Sequence, residues 1–250
     1  MKTTWDYTEL ADAYLKRPDY SSEAIGALCT LSGVAPGAQV CDVGAGVAHL
    51  TLMLAARGLK VDAVEPNDAM REIGAKRTRD NPNVRWFEGA GEATGRPSGI
   101  YDLVTFGSSF NVVDQAAALR ESSRLLNARG WFACMWNHRN LDDPIQAKIE
   151  GIIKATVAGY DYGRRRENQT QILEGSDLFE KVHYLEGQVV HRQSIADCIE
   201  AWRSHATLAR QARELFPEVV RKISDYLGSL KVDEIRIPYT TRIWCARRKA

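Results

Sequence analysis

Gly44 and Gly46 stand between the apolar run Val40-Cys41-Asp42-Val43 and a helical stretch that begins near His49-Leu50. They are the residues whose type and spacing point first to chemistry. Glycine lets the backbone turn sharply and approach a ligand, and the helix that follows turns free N–H groups toward whatever binds there. Ala45 completes that turn. A second apolar run, Val61-Asp62-Ala63-Val64, ends on Glu65-Pro66, and a strand-end carboxylate about 20 residues past the turn can take both hydroxyls of a ribose. A strand, a glycine turn, a helix, a second strand and an acid together make a cradle for a nucleoside-bearing cofactor.

The elements that must position these residues are legible in the hydrophobic pattern. Apolar stretches of strand length at 39–43, 60–65, 84–88, 102–106 and 131–136 alternate with helical or loop segments, which predicts a doubly wound, Rossmann-like α/β sheet. Residues 7–14 and 24–31 carry apolar side chains at helical spacing, predicting two helices that form a lid over the cradle. Ser21-Ser22-Glu23, Asn67-Asp68 and Asp114 read as helix starts, and Gly58, Gly95 and Gly130 as helix ends or loops. After Trp136 the alternation breaks. Residues 141–158 read as an amphipathic helix, 159–175 as a polar, Arg- and Tyr-rich stretch, and 182–190 as a strand; helices follow at 195–213 and 217–230, then a last strand at 234–246. The expectation is a seven-stranded, mostly parallel sheet in one domain over 1–250. It divides into lid helices (1–35), a cofactor-binding core (36–140), a helical cap and substrate region that includes strand six (141–233), and the final strand (234–250). The cap, inserted between the last strands, is expected at the C-terminal sheet edge, where open α/β sheets bind ligands.

Composition narrows the classes. The 250 residues can bury a full core, and 33 Lys plus Arg against 32 Asp plus Glu leave a formal charge of +1. No global field recruits nucleic acid or an anionic membrane, so neither is an expected partner. Cys29, Cys41, Cys134, Cys198 and Cys245 are scattered without metal-ligand pairs; they read as buried small side chains of a reducing compartment, and no metal is expected. Residues 1–15 are interrupted by Asp6, Glu9 and Asp12 and do not read as a signal peptide, and no apolar run reaches membrane-spanning length. The expected location is the cytoplasm, as a monomer or homodimer.

A dinucleotide site uses Gly-x-Gly-x-x-Gly, and His49 stands at its third glycine. The sequence instead has Asp42-Val43-Gly44-Ala45-Gly46, which resembles motif I of the class I S-adenosylmethionine-dependent methyltransferases. Tyr14 to Tyr20, with Arg17-Pro18, resembles the N-terminal Tyr…Arg-Pro-x-Tyr segment of small-molecule methyltransferases of the trans-aconitate and ubiquinone/menaquinone-biosynthesis type. Phe87 to Gly95 resembles their Gly-x-Ala-Glu segment around the adenine, and Ile237 to Trp244 the final strand of the trans-aconitate-like branch. The resemblance implies S-adenosylmethionine as cofactor. Asp42, Gly44, Ala45, Gly46, Glu65, Pro66, Ala90, Gly91, Glu92 and Ser108 would hold it, and Tyr14 and Arg17 would close over it.

The chain departs from that pattern at three places. Ala90 stands where the family often has Asp, so an adenine hydrogen bond is expected from the backbone of Ala90 or Gly91 with Glu92 nearby. Val47-Ala48 replaces a common Thr-Gly pair, and Asn111-Val112 stands where the trans-aconitate-like branch has His-Trp after the fourth strand. That last change argues against carrying over trans-aconitate as the substrate.

Methyl transfer from a sulfonium is an in-line displacement in which positioning supplies most of the catalysis. A base is needed only where the acceptor arrives protonated. Asn111, His138 and His205 are the candidate catalytic residues, and Trp136, Tyr162, Arg164, Trp202 and Arg203 the candidate acceptor contacts. Each has an ordinary alternative: a structural His, a solvated Arg run at 164–166, a core Trp. His49, His183 and His191 read as structural or exposed, and Trp5 either closes the lid or packs against it. The expected activity is methylation of oxygen or nitrogen on a small molecule. The competing classes are an RNA or protein methyltransferase and a non-catalytic cofactor-binding regulator.

Overall fold

The computed structural model describes residues 8, 11–161, 166–203 and 205–250. Seven strands form one sheet in the order β3-β2-β1-β4-β5-β7-β6. β1 (Gln39–Val43), β2 (Lys60–Val64), β3 (Val84–Phe87), β4 (Tyr101–Gly107) and β5 (Leu126–Arg139) are paired in parallel. β7 (Glu234–Arg247) slots between β5 and β6 (His183–Ser194), antiparallel to both. This is the doubly wound, Rossmann-like fold that the alternation predicts. β1 and β2 are buried over four of five residues each, as parallel strands covered by helices on both faces must be. Strand order reverses between β1 and β4, so a crevice opens at their carboxyl ends.

The helix starts follow their caps. Ser21, Asn67 and Asp114 accept backbone N–H groups from Ala24, Met70 and Ala117 at the openings of α2 (Ser22–Ser32), α4 (Asp68–Thr78) and α5 (Gln115–Leu125). α3 (His49–Ala55) begins directly after the glycine turn. Gly58 and Gly95 adopt positive φ, at 77° and 68°, in connections as expected. Gly130 does not mark a loop: α5 passes into β5 at Leu126 without a connection, and Gly130 lies inside that strand.

The N-terminal helices divide in function. α1 is short (Ala11–Tyr14) and packs against α4 near the site, but α2 belongs to the sheet's own helical layer. Its Ala24, Ile25 and Leu28 are fully buried with Leu103, Met135 and Ile243. Trp5 lies outside the described residues.

Two helical insertions follow β5 and β6. α6 (Pro144–Thr156) and α7 (Thr170–Glu174) lie between β5 and β6, so the polar stretch 159–175 ends in a helix. α7 packs with α5 on the sheet rather than in the cap. α8 (Ile195–Arg203), α9 (Ala206–Ala212), a 3-10 turn at Arg213–Leu215 and α10 (Phe216–Ser229) lie between β6 and β7. The single helix expected over 195–213 is two, because the His205 ring caps a new start at α9. α6, α8 and α10 share a core of their own, with Ile149, Ile153, Trp202 and Leu227 packed on Ile237 and Tyr239 of β7. Four of the five cysteines are buried and Cys29 is half-buried. No helix among the described residues is long and apolar enough to cross a membrane.

One close approach sets where α4 lies. A Cβ built on Gly74 falls 2.2 Å from the Trp86 ring and 2.9 Å from the Gly46 carbonyl oxygen, while the Trp86 Nε1–H donates to Thr78 Oγ1 at 2.8 Å. Gly74→Ala is expected to destabilise the chain by about 1–2 kcal/mol in urea unfolding, against the roughly 1 kcal/mol that helix propensity alone favours. A neutral or stabilising result would show that α4 is free to move off the glycine turn.

Candidate functional site

The turn after β1 is shaped by its glycines. Gly44 and Gly46 have φ of 67° and 56°, in the left-handed region that side chains disfavour. A Cβ on Gly44 would lie 2.5 Å from the Cβ of Ser109, so the loop after β4 closes down on bare backbone. The N–H groups of Gly44 and Ala45 both donate to the Val64 carbonyl, at 2.8 and 3.1 Å, which ties the turn to the end of β2.

Glu65 follows directly, and both of its oxygens are held. Oε2 accepts from the Gly46 N–H and Oε1 from the Asn67 N–H, each at 2.9 Å. Burial raises the Glu65 pKa, opposed by those two backbone hydrogen bonds. A carboxylate has about four lone-pair sites, so one on each oxygen is left to meet adjacent hydroxyls. Pro66 lies beside it in the cavity wall.

Asp42 lies in the cavity wall, and its carboxylate is fully buried, accepting from Thr51 Oγ1 at 2.7 Å and Thr105 Oγ1 at 2.9 Å. It braces α3 and β4 against β1. Burial pushes its pKa up to about 6, with the two hydroxyl donors pulling the other way.

On the far side of Glu65, Ala90 exchanges backbone hydrogen bonds with Ala93, so its amide is engaged within the loop. Gly91 needs its missing side chain, since a Cβ there would approach Val113 Cγ1 to 2.8 Å. The Glu92 carboxylate accepts from the Asp114 N–H at 2.7 Å, which fixes the approach to α5. Ala90, Gly91 and Glu92 all border the cavity.

The N-terminal segment covers the opposite wall. The Arg17 guanidinium lies 3.6 Å from the centroid of the Tyr14 ring, and both border the cavity. His49 fastens this segment, with Nδ1 against Asp19 Oδ1 at 2.7 Å and Nε2 against the Tyr14 carbonyl at 2.9 Å. Tyr20 Oη and Ser108 Oγ are 2.9 Å apart, linking the segment to the loop after β4, where Ser108 itself has φ of 60°.

The cavity, about 770 Å³, runs from the glycine turn into the cap. That lies within the roughly 300–1,000 Å³ usual for small-molecule sites. Its cap half brings together Asn111, Trp136, His138, Trp202 and His205. The Trp136 Nε1–H donates to Asn111 Oδ1 at 2.8 Å, which orients the Asn amide so that its NH₂ is the end left for an acceptor. His138 is buried at the end of β5. His205 accepts the Leu208 N–H at Nδ1 (3.2 Å) and stacks on Trp202. In the neutral ring the proton is then on Nε2, so His205 holds a helix start and is no proton acceptor in this arrangement.

Arg203 is not at the site: it lies on the exposed face of α8, paired with Glu200 at 3.3 Å, because consecutive helix positions point about 100° apart and its neighbour Trp202 takes the buried face. Tyr162 and Arg164 lie outside the described residues, whereas Arg166 of the same run borders the cavity. Sequence reasoning missed Arg139, Gln146 and Gln193, which face the cavity from β5, α6 and β6. No motif marks them. His49, read as structural or exposed, does structural work at the site's edge.

Comparison with known proteins agrees with this geometry. Residues 41–134 match the family described as "Methyltransferase domain". An uncharacterized methyltransferase of Mycobacterium tuberculosis is 32% identical over 124 residues, 50% of this chain and 48% of its own. A demethylmenaquinone methyltransferase of Mycobacterium sp. is 37% identical over 105 residues, 41% of this chain and 43% of its own. The chain thus spans about half the length of the curated relatives it matches. Among solved structures, a phosphoethanolamine N-methyltransferase 2 of Haemonchus contortus, in complex with phosphomonomethylethanolamine and S-adenosylhomocysteine, has a TM-score of 0.55 at 13% identity, covering 96% of this chain and 57% of its own. At that identity the likeness is one of fold.

The buried Asp42 yields a pH prediction with a definite sign. Its folded pKa, about 6, is above the ordinary 3.8, so the folded state takes up the proton first and stability from this group rises as pH falls from 7 to 4. Relative to Asp42→Asn, the wild type is expected to gain up to about 3 kcal/mol across that window in urea unfolding. A pH-independent difference would mean that the carboxylate is ionised at no cost in its Thr51–Thr105 cradle.

Proposed function

We propose that this chain, which carries a class I S-adenosylmethionine-dependent methyltransferase domain, transfers a methyl group to an oxygen or nitrogen of a small-molecule acceptor held under its cap. The observation that carries this reading is the Glu65 carboxylate, fixed by Gly46 and Asn67 with a lone pair left on each oxygen at the mouth of the cavity. A cofactor with a vicinal ribose diol fits that presentation. Bare backbone at Gly44 and Gly91 lets Ser109 and Val113 pack directly against the two loops, which fixes the loops that border the cavity.

When bound, such a cofactor supplies an electrophilic methyl carbon on a sulfonium. The residues would supply position: Glu65 would hold the ribose, Gly91 and Glu92 would border the base, and the Tyr14–Arg17 pair with the Tyr20–Ser108 link would close the side wall. The chemistry the cofactor would supply there is an in-line displacement with a neutral thioether as leaving group, so the task left to this chain's residues would be to align the acceptor and take up its proton. Where the acceptor begins as a phenol, alcohol or ammonium, its proton must leave. His138, buried at the end of β5 and facing the cavity, is the base we assign, since Nδ1 of His205 is engaged with the backbone of α9. The Asn111 NH₂ orients the acceptor.

Calorimetric titration with S-adenosylmethionine and S-adenosylhomocysteine tests the cofactor assignment. Glu65→Ala is expected to weaken both by at least about 100-fold, the scale of losing charge-assisted bonds to two hydroxyls. No binding to the wild type would remove the reading altogether. For the base, His138→Ala is expected to abolish the rise of turnover with pH for a hydroxyl acceptor, while His205→Ala acts on Tm; unchanged turnover across pH in His138→Ala would reject the assignment.

A further inference from the structure

The cap half of the cavity holds buried polar atoms that the fold itself does not use. Gln146, on α6, is 2% exposed, and neither its Oε1 nor its Nε2 has a hydrogen-bond partner among the described residues. Nor have Trp202 Nε1 on α8, in a residue 4% exposed, and Arg139 Nε at the end of β5. All three side chains face the same cavity. Buried polar groups left unpaired are costly and rare, and three converging from separate elements on one space mark a binding site.

The guanidinium of Arg139 is held for that use. It lies 4.1 Å from the Trp202 ring centroid and 5.5 Å from that of Tyr239, so two aromatic rings fix it and orient its donor edge. The surrounding charge favours an anion. Arg166, whose Nη2 donates to the Arg139 carbonyl at 3.3 Å, and Arg210 border the same half. Among the described residues, the carboxylate bordering that half is Glu150, which is paired with Lys154 at 3.1 Å. The unpaired set comprises donors on Arg139, Trp202 and Gln146 and one acceptor on Gln146. The walls between are apolar at Leu141 and Ile149.

We infer that Arg139, Gln146 and Trp202 form a carboxylate subsite, so that the methyl acceptor is a small organic acid with an apolar body and a neighbouring O–H or N–H donor. A carboxylate presents acceptors in a plane that matches the guanidinium fork and the Gln NH₂, and the adjacent donor meets Gln146 Oε1. This inference deepens the methyltransferase reading and rests on it for the word acceptor, but the anion subsite stands on its own geometry.

Benzoate and 4-hydroxybenzoate, each against its carboxamide, are the probes, followed by tryptophan fluorescence in the presence of S-adenosylhomocysteine. Both acids are expected to bind at least about tenfold more tightly than their amides, with Arg139→Gln erasing the preference. Gln146→Leu is expected to weaken the acids about tenfold and to raise Tm by a few degrees, since it removes a buried amide that the fold leaves unpaired. S-adenosylhomocysteine affinity should be unchanged in both variants, which also shows that they are folded. Equal binding of acids and amides, no acid binding below about 10 mM, or a lowered Tm in Gln146→Leu would each overturn the subsite. Acid selectivity without S-adenosylhomocysteine binding would keep the subsite and overturn the cofactor reading instead.

Discussion

The β1–β2 side of the cavity depends on a carboxylate that the chain buries and then fastens with its own backbone. Glu65 directly follows β2, Gly46 belongs to the turn after β1, and Asn67 caps α4; the carboxylate joins all three through two N–H donors. Removing a carboxylate from water costs several kcal/mol unless donors replace the solvent, so the turn, the strand end and the helix start have to stay in register for this acid to remain buried. Arg71 adds a bond to the Glu65 carbonyl at 2.8 Å, and Gly74 lets α4 sit close enough for these contacts to form. The same bonds that stabilise the fold therefore orient the group that would meet a ribose.

Behind this surface Asp42 acts as a pillar. It is fully buried and joins β1 to β4 and α3 through two threonine hydroxyls, while Ser109 Oγ donates to the Val43 carbonyl at 2.6 Å. These contacts hold the β1 and β4 loops at a fixed separation across the crevice where strand order reverses. A site that works by positioning gains from this rigidity, because catalytic advantage falls steeply with small misplacements.

The cap follows a different logic. It has its own apolar core around Ile149, Trp202 and Leu227, separate from the two clusters on the sheet faces, and it meets the cofactor side mainly across the cavity. The N-terminal segment bridges the two. His49 and Tyr20 tie it to the core, while Gln193 Nε2 and His191 Nε2, both on β6, contact the Lys16 carbonyl at 2.6 and 3.1 Å. Apolar packing sets the cap's shape, and its unpaired polar groups at Gln146 and Trp202 face inward, where stability alone would have placed hydrocarbon.

By itself the sequence determined the parts governed by short-range rules. The alternation of apolar runs and caps at Ser21, Asn67 and Asp114 gave the order of elements, and Gly44 and Gly46 gave the sharp turn after the first strand, because strand pattern, capping and positive-φ turns depend on residues close in the chain. Only the tertiary structure decided what long-range packing settles. It buried Asp42 between Thr51 and Thr105, engaged Glu92 with the Asp114 amide, and set the His205 ring at a helix start. It also left Arg203 on a solvent face and brought Arg139, Gln146 and Trp202 from three elements to one cavity. A side chain's chemistry can be read from its type, but its partners are set by which elements the fold lays against it, and no local spacing records that.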